Sequence, residues 1–263
     1  MHILLVDNSG GSRPGPLTAL LCDKLRAYGE VVCCAAPTGG GDCVLNRRWD
    51  AVVLSGSALN LTEPVSPGML SKDFAALLHF PQVPVLGVCF GMQLMALAYG
   101  GHVERRATRA SGSRQTESLP PLGPPSVLGG RFLAHFEHGD VVTRVPPRFV
   151  PVARHDGAVD AMESLELLRF GVQYHPEKSP AAPTLRRFFE FVRARAPGPR
   201  GAVPETEMVG GRPLSWASVR HIEQMIGRMR PVRLAELHGV PTRSVEAIWH
   251  AFRARYRIPA LLV

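Results

Sequence analysis

Val83-Pro-Val-Leu-Gly-Val-Cys-Phe-Gly-Met-Gln-Leu-Met-Ala-Leu-Ala-Tyr99 is the stretch from which the rest of the chain can be read. It opens as an apolar, Val-rich run, the pattern of a buried parallel strand. It closes on Met92, Leu94, Met95, Ala98 and Tyr99, a helical run. Between the two sits Gly87-Val-Cys-Phe-Gly91, a cysteine bracketed by glycines at a strand-to-helix corner. Glycines on either side remove the Cβ clashes of a sharp turn. The following helix would aim its N-terminus at the sulfur, favouring thiolate over thiol. A lone cysteine is more commonly a packing residue; the flanking glycines and the preceding strand favour a nucleophile at Cys89.

Outward from this corner the chain alternates. Ile3 to Val6 predicts a strand, ended by the turn-forming Asp7-Asn-Ser-Gly-Gly11. Pro16 to Tyr28 has helical spacing, with Gly29 at the expected stop. Val31 to Ala35 and Asp50 to Leu54 predict two more strands, and Leu70 to Phe80 a helix before the Cys89 strand. The alternation predicts an α/β fold, a flavodoxin-like three-layer sandwich with a mostly parallel central sheet and active loops at its carboxyl edge. Past Gly101 the reading is a strand from His102, a loop-rich and mobile stretch from Ala107 to Gly130, then strands over Arg131–Val145, Phe149–Arg154, Ala158–Glu163 and Leu167–Tyr174.

The 263 residues suffice for one large domain plus a small module, and a hydrophobic fraction of 45% supports a sizeable core. No apolar run is long enough to cross a bilayer, so no membrane is expected. The first residues, Met-His-Ile-Leu-Leu-Val-Asp, read as a strand rather than a signal peptide. Five cysteines, Cys22, Cys33, Cys34, Cys43 and Cys89, show no CxxC pair and no disulfide framework, which fits a reducing cytoplasm. The net charge of +8, carried almost wholly by arginine, leaves an anionic partner open.

Two further stretches bear on chemistry. Ser55-Gly56-Ser57 follows a strand as Cys89 does. Attack of a thiolate on an amide carbonyl needs two N–H donors for the oxyanion. Phe90, after the nucleophile, would supply one; Gly56 or Ser57 the other. Phe170-Gly-Val-Gln-Tyr-His-Pro-Glu-Lys-Ser179 places His175 and Glu177 two positions apart, on one face if the segment stays extended. A carboxylate beside an imidazole fixes its tautomer. Alone, His-Pro-Glu reads as a surface turn; beside a nucleophile it makes Cys89, His175 and Glu177 a triad candidate.

Gly87-Val-Cys-Phe-Gly-Met-Gln93 together with Gly171-Val-Gln-Tyr-His-Pro-Glu177 resembles the class I (triad) glutamine amidotransferases, over roughly the first 195 residues. The resemblance implies a glutaminase. Cys89 would attack the carboxamide of L-glutamine to give a γ-glutamyl thioester, with His175 as acid and base and Glu177 orienting it. Gly91 and Gln93 would help hold the substrate. Ammonia would pass to a synthetase partner. Within the family the likeness is greatest to the glutaminase domain of GMP synthetase, through Ile3-Leu-Leu-Val-Asp-Asn8 and His138-Gly-Asp140. His138, Gly139, Asp140 and Val141 are then implied to grip the amino-acid head of glutamine. The oxyanion loop, usually Gly-Gly-Pro, reads Gly56-Ser57-Ala58 here. No ATP-pyrophosphatase signature follows, which implies a glutaminase without its own synthetase.

Residues 1–196 thus read as the amidotransferase domain and 197–211 as a Pro/Gly-rich linker. Residues 212–263 read as a helical, helix-turn-helix-like module, with helical pieces over Trp216–Met229, Val232–His238 and Thr242–Tyr256. Its arginines leave nucleic-acid binding open beside a docking or partner role. His221, His238 and His250 lack metal-ligand spacing, and neither metal nor cofactor is expected. Two alternatives stand beside the glutaminase: a γ-glutamyl hydrolase or peptidase acting alone, and a glutamine-sensing regulator whose tail binds DNA.

Overall fold

The computed structural model describes residues 1–11, 13–35, 48–63, 72–73, 76–77, 80, 82–119, 126–195, 231–238, 242 and 245. Nine strands form one sheet. In chain order they are β1 (His2–Asp7), β2 (Glu30–Ala35), β3 (Ala51–Leu54), β4 (Val85–Val88), β5 (His102–Glu117), β6 (Arg131–Arg144), β7 (Val150–His155), β8 (Ala158–Ser164) and β9 (Arg169–Val172). The helices are α1 (Pro16–Leu25), α2 (Phe90–Ala98), α3 (Thr184–Ala194) and α4 (Pro231–His238).

The sheet order is β2-β1-β3-β4-β9-β8-β6-β5, with β7 on β8. The first five are mutually parallel, in the order of a doubly wound sheet, and β8, β6, β5 and β7 extend it antiparallel. Every residue of β3, β4 and β9 is buried, as a strand covered on both faces demands. Their side chains alternate between two cores. Ile3, Leu5, Ala51, Val53, Leu86 and Phe170 pack with Leu21 and Leu25 of α1 and Phe188 and Phe189 of α3. Leu4, Val6, Val52, Leu54 and Val85 pack with Met92, Leu94 and Met95 of α2. The result is the three-layer sandwich the alternation predicts. All nine residues of α2 are buried.

One segment departs from the reading. The predicted loop from Ala107 is instead most of β5, which runs to Glu117 and pairs along its length with β6. Its sequence, His-Val-Glu-Arg-Arg-Ala-Thr-Arg-Ala-Ser-Gly-Ser-Arg-Gln-Thr-Glu, is largely exposed and shows no apolar alternation. The strand exists because β6, which buries Phe132, Ala134 and Phe136, offers it a hydrogen-bonding edge. The register slips twice: between His102 and Val103, and again where Arg105 pairs with Asp140 and Ala110 with His138, so residues 106–109 bulge opposite Gly139 alone.

Arg169 is fully buried in β9. Its guanidinium donates to the carbonyls of Leu77, Phe80 and Val83 and to the Tyr99 hydroxyl. A buried cation is tolerable there because it satisfies carbonyls that would otherwise be orphaned. Cys34 is disulfide-bonded, against the expectation of no disulfide framework, while Cys22, Cys33 and Cys89 are free. Among the described residues no helix is long and apolar enough to cross a membrane.

The proposed linker, Trp216–Met229 and most of Thr242–Tyr256 lie outside the described residues. Within the tail, α4 matches the helix read from Val232 to His238. Leu234, Ala235 and Val245 are buried in the same apolar cluster as Leu77 and Met95.

Candidate active site

The corner after β4 is strained. Cys89 has φ 50° and ψ −105°, a positive-φ conformation that costs a non-glycine residue about 1–3 kcal/mol. Two hydrogen bonds hold it: its N–H donates to the Val172 carbonyl at 2.7 Å, and its carbonyl accepts from Gln93 N at 3.1 Å. The glycines on either side serve close approach rather than the turn. A Cβ on Gly87 would lie 2.6 Å from the Gly91 carbonyl carbon, and one on Gly91 would collide with the carbonyl of Leu54. Strand and helix can meet this tightly only because both lack side chains. Phe90 opens α2, so its N–H is one of the unpaired donors of the first turn.

β9 lies beside β4 in parallel register, with Gly87 opposite Gly171 and Val88 opposite Val172. The residues after Val172 therefore emerge next to Cys89. The segment does not stay extended as the sequence reading assumes: Pro176–Lys178 forms a 3-10 turn. That turn brings the Glu177 carboxylate back to His175, and Nδ1 to Oε1 is 2.7 Å with both side chains almost wholly buried. The turn is pinned by His175 N–H to the His135 carbonyl, 2.8 Å, and by the Ser179 hydroxyl to the His175 carbonyl, 2.7 Å.

Gly56 marks where the pieces meet. A Cβ there would stand 3.0 Å from His175 Cε1 and 3.6 Å from Cys89 Cβ. Burial, the largest influence on the imidazole, pulls its pKa down, yet Cys89 and Glu177 together outweigh it and raise it to about 10. His175 Nε2 is buried and has no hydrogen-bond partner within the chain, which leaves it available for the contacts the reaction makes. Such contacts tighten when substrate arrives. Loop 55–57 rests on a buried polar cluster: Asn8 N–H donates to Ser55 Oγ (2.9 Å), Ser55 Oγ to the Gly56 carbonyl (2.9 Å), and Asn8 Nδ2 to Asp73 (2.9 Å). Burial pushes the Asp73 carboxyl up to about 7.

A small cleft lies beside Cys89, lined by Ser57, Gln93 and His138–Asp140. His138 Nδ1 lies 3.1 Å from the Asp140 carbonyl; burial draws the imidazole down to about 4, so it is neutral at pH 7. Asp140 is committed elsewhere, accepting from Thr62 N (2.9 Å) and Thr62 Oγ1 (2.8 Å), with Arg105 at 3.4 Å. Gln93 Nε2 donates to the Asp140 carbonyl at 2.7 Å and to Gln173 Oε1 at 3.2 Å. Val141 continues β6 with its side chain buried.

Two residues at the site were not singled out from sequence. Gln173 is fully buried, with Nε2 3.5 Å from Cys89 Sγ. Its place in the His175 motif was the available signal. Arg109 is exposed and lines the cleft, carried there by the bulge in β5. Bulges commonly re-aim side chains beside active sites; nothing in the sequence pattern marks this one. Among the described residues no cluster of His, Cys, Asp and Glu is arranged to hold a metal ion.

A family model for class-I glutamine amidotransferase matches residues 23–194. The glutamine-hydrolysing GMP synthase of Phenylobacterium zucineum is 34% identical over 239 residues, covering 87% of this chain and 40% of that protein. That of Salmonella typhimurium is 38% identical over 151 residues, covering 54% of this chain and 28% of that protein. The chain thus spans less than half the length of these curated relatives. Among solved structures, a Thermoplasma acidophilum protein assigned as one of the subunits of a GMP synthase superposes with a TM-score of 0.60 at 22% identity, covering 74% of this chain and 94% of its own. A glutamine amidotransferase from Thermotoga maritima superposes with a TM-score of 0.55 at 20% identity, covering 94% and 98%. At these identities the structural likeness shows the fold.

Proposed function

This chain belongs to the class-I glutamine amidotransferases, and from that premise we propose that it hydrolyses the carboxamide of L-glutamine through Cys89, His175 and Glu177. The observation that carries the proposal is the buried His175–Glu177 pair brought beside a cysteine held at positive φ. Cys89 Sγ attacks the amide carbon and gives up its proton to His175. The oxygen becomes an oxyanion facing the N–H groups of Phe90 and of Gly56 or Ser57. His175, its imidazolium braced by Glu177, passes that proton to the departing nitrogen. The C–N bond breaks, ammonia leaves, and a γ-glutamyl thioester remains. A water that has lost its proton to His175 attacks the thioester. The sulfur leaves, is reprotonated, and glutamate is released. Glu177 holds the proton on Nδ1, so Nε2 is the nitrogen that works.

Gln93, His138, Gly139, Asp140 and Val141 belong to the wall that receives the amino-acid head. We assign the α-carboxylate to Arg109, the cationic side chain among the described residues lining the cleft; the other charged group there, Asp140, is an anion already held by Thr62 and Arg105. Residues 1–196 form the glutaminase domain, 197–211 the linker and 212–263 the helical module. The likeness to GMP synthases supports a cytoplasmic enzyme whose ammonia is taken up by a partner synthetase. The test is ammonia release from glutamine by the purified chain. Cys89→Ala should lose about three or more orders of magnitude in rate, since the triad acts as a unit. Equal release by wild type and Cys89→Ala would end the proposal.

A further inference from the structure

The nucleophile's sulfur has a neighbour outside the triad, and the hydrogen-bond chain behind that neighbour has a fixed direction. The chain starts at the Asp140 main-chain carbonyl, which can only accept. The group of Gln93 that lies 2.7 Å from it must therefore be the NH2. The same NH2 faces Gln173 at 3.2 Å, so the atom of Gln173 on that side must be the carbonyl oxygen. That leaves the NH2 of Gln173 turned toward Cys89 Sγ, at 3.5 Å. The backbone also holds Gln173, its N–H donating to the Asp160 carbonyl at 2.8 Å. Its side chain is wholly buried, and neither amide group can rotate without orphaning a polar atom.

We infer that Gln173 is a catalytic residue that donates a hydrogen bond to the Cys89 sulfur when the sulfur carries negative charge, above all when it leaves the thioester. The sulfur lies between this donor and an acceptor, the Glu137 carbonyl at 3.8 Å. The thiol can use the acceptor; the anion can use only the donor. In the acyl-enzyme the sulfur is neutral and the Gln173 contact is weak. As the C–S bond breaks during hydrolysis, charge returns to sulfur and the contact strengthens. An interaction stronger in the transition state than in the ground state accelerates that step. Gln93, through the polarity it imposes, is the positioning residue for Gln173.

The inference rests on the glutaminase reading for the deacylation step but not for the sulfur contact, and the test separates the two. Cys89 alkylation by iodoacetamide needs no glutamine turnover. Gln173→Glu keeps the shape but turns an acceptor toward the sulfur; Gln173→Leu removes the donor. Loss of a hydrogen bond to a charged group is worth roughly ten- to a hundredfold in rate. Because a less stabilised thiolate is also the more nucleophilic one, about half of that effect cancels, and we expect alkylation of folded protein at fixed pH to slow roughly three- to tenfold in Gln173→Leu, and further in Gln173→Glu. With glutamine present, mass spectrometry of the quenched protein should show a larger γ-glutamyl fraction on Cys89 in Gln173→Leu than in wild type. If Gln173→Leu fails to fold, the isosteric Glu variant carries the test alone. Unchanged alkylation in a folded Gln173→Glu variant would overturn the inference, as would activity losses that track melting temperature with no rise in the acyl fraction. Slowed alkylation in the variants of a wild type that releases no ammonia would instead uphold the sulfur contact and sink the glutaminase reading.

Discussion

Replacing Glu177 with glutamine isolates the part of the site the structure defines most sharply. The His175 Nδ1–Glu177 Oε1 distance is 2.7 Å, and the two side chains are 3% and 2% exposed. A hydrogen bond to a charged group is worth about 1.5–3 kcal/mol. At about 1.36 kcal/mol per decade, losing it at the imidazolium stage costs roughly ten- to 150-fold in kcat/KM. Glutamine can do more damage than loss of charge. If its NH2 turns toward Nδ1, the ring proton must move to Nε2, the nitrogen that has to accept from Cys89. A wrong tautomer in a serine-protease triad costs about ten-thousandfold, which sets the upper end. The variant should therefore lose about one to four orders of magnitude in ammonia release. Its circular dichroism should stay that of the wild type, since the substitution is isosteric. The assay is ammonia production at saturating and at limiting glutamine, with the melting temperature measured in parallel. A folded variant that kept more than half the wild-type rate would show that the pair does not brace a working imidazole.

Other outcomes follow from the same geometry. Arg109→Ala should raise KM for glutamine roughly tenfold with little change in kcat, and should abolish the preference for glutamine over its α-amide; unchanged KM would remove Arg109 from the substrate site. Arg169→Leu should destabilise the fold by about 3 kcal/mol or more, read by denaturant titration, because it removes the guanidinium that serves the buried carbonyls of Leu77 and Val83. Stability should also depend on pH on both sides of neutrality. His175, raised from 6.5 to about 10, contributes stability that is complete below pH 6.5 and is lost as pH climbs through about 10. His138, lowered from 6.5 to about 4, contributes stability present above pH 6.5 and lost as pH falls toward 4. His138→Gln should flatten the acid limb of the curve; an acid limb of the same slope would contradict that.

The parallel half of the fold was readable because buried strands write themselves as apolar runs, and Val83 to Val88 ends at a corner that only glycines permit. Tertiary pairing, by contrast, leaves no local trace. β5 has no apolar alternation, so past its first residues, from Ala107 to Glu117, it reads as loop until β6 supplies an edge. The bulge that carries Arg109 to the cleft is a register event between two strands and has no sequence signature of its own. Cys89, His175 and Glu177 were legible as residue types in motifs, though the motif implied an extended segment where a 3-10 turn makes the contact. Gln173 sits inside the same motif, yet its bearing on the sulfur depends on β4 and β9 lying side by side. In the tail, the helix over residues 231–238 was legible from its amphipathic spacing, and its burial against the α2 side of the sheet was not.

The most direct test is a mass measurement. Treated with a diazoketone analogue of glutamine, the protein should gain one adduct, located on Cys89 after proteolysis, and lose ammonia release in step with labelling. Excess glutamine should slow both. An adduct on Cys22 or Cys33, or an unmodified Cys89 in folded protein, would contradict the account.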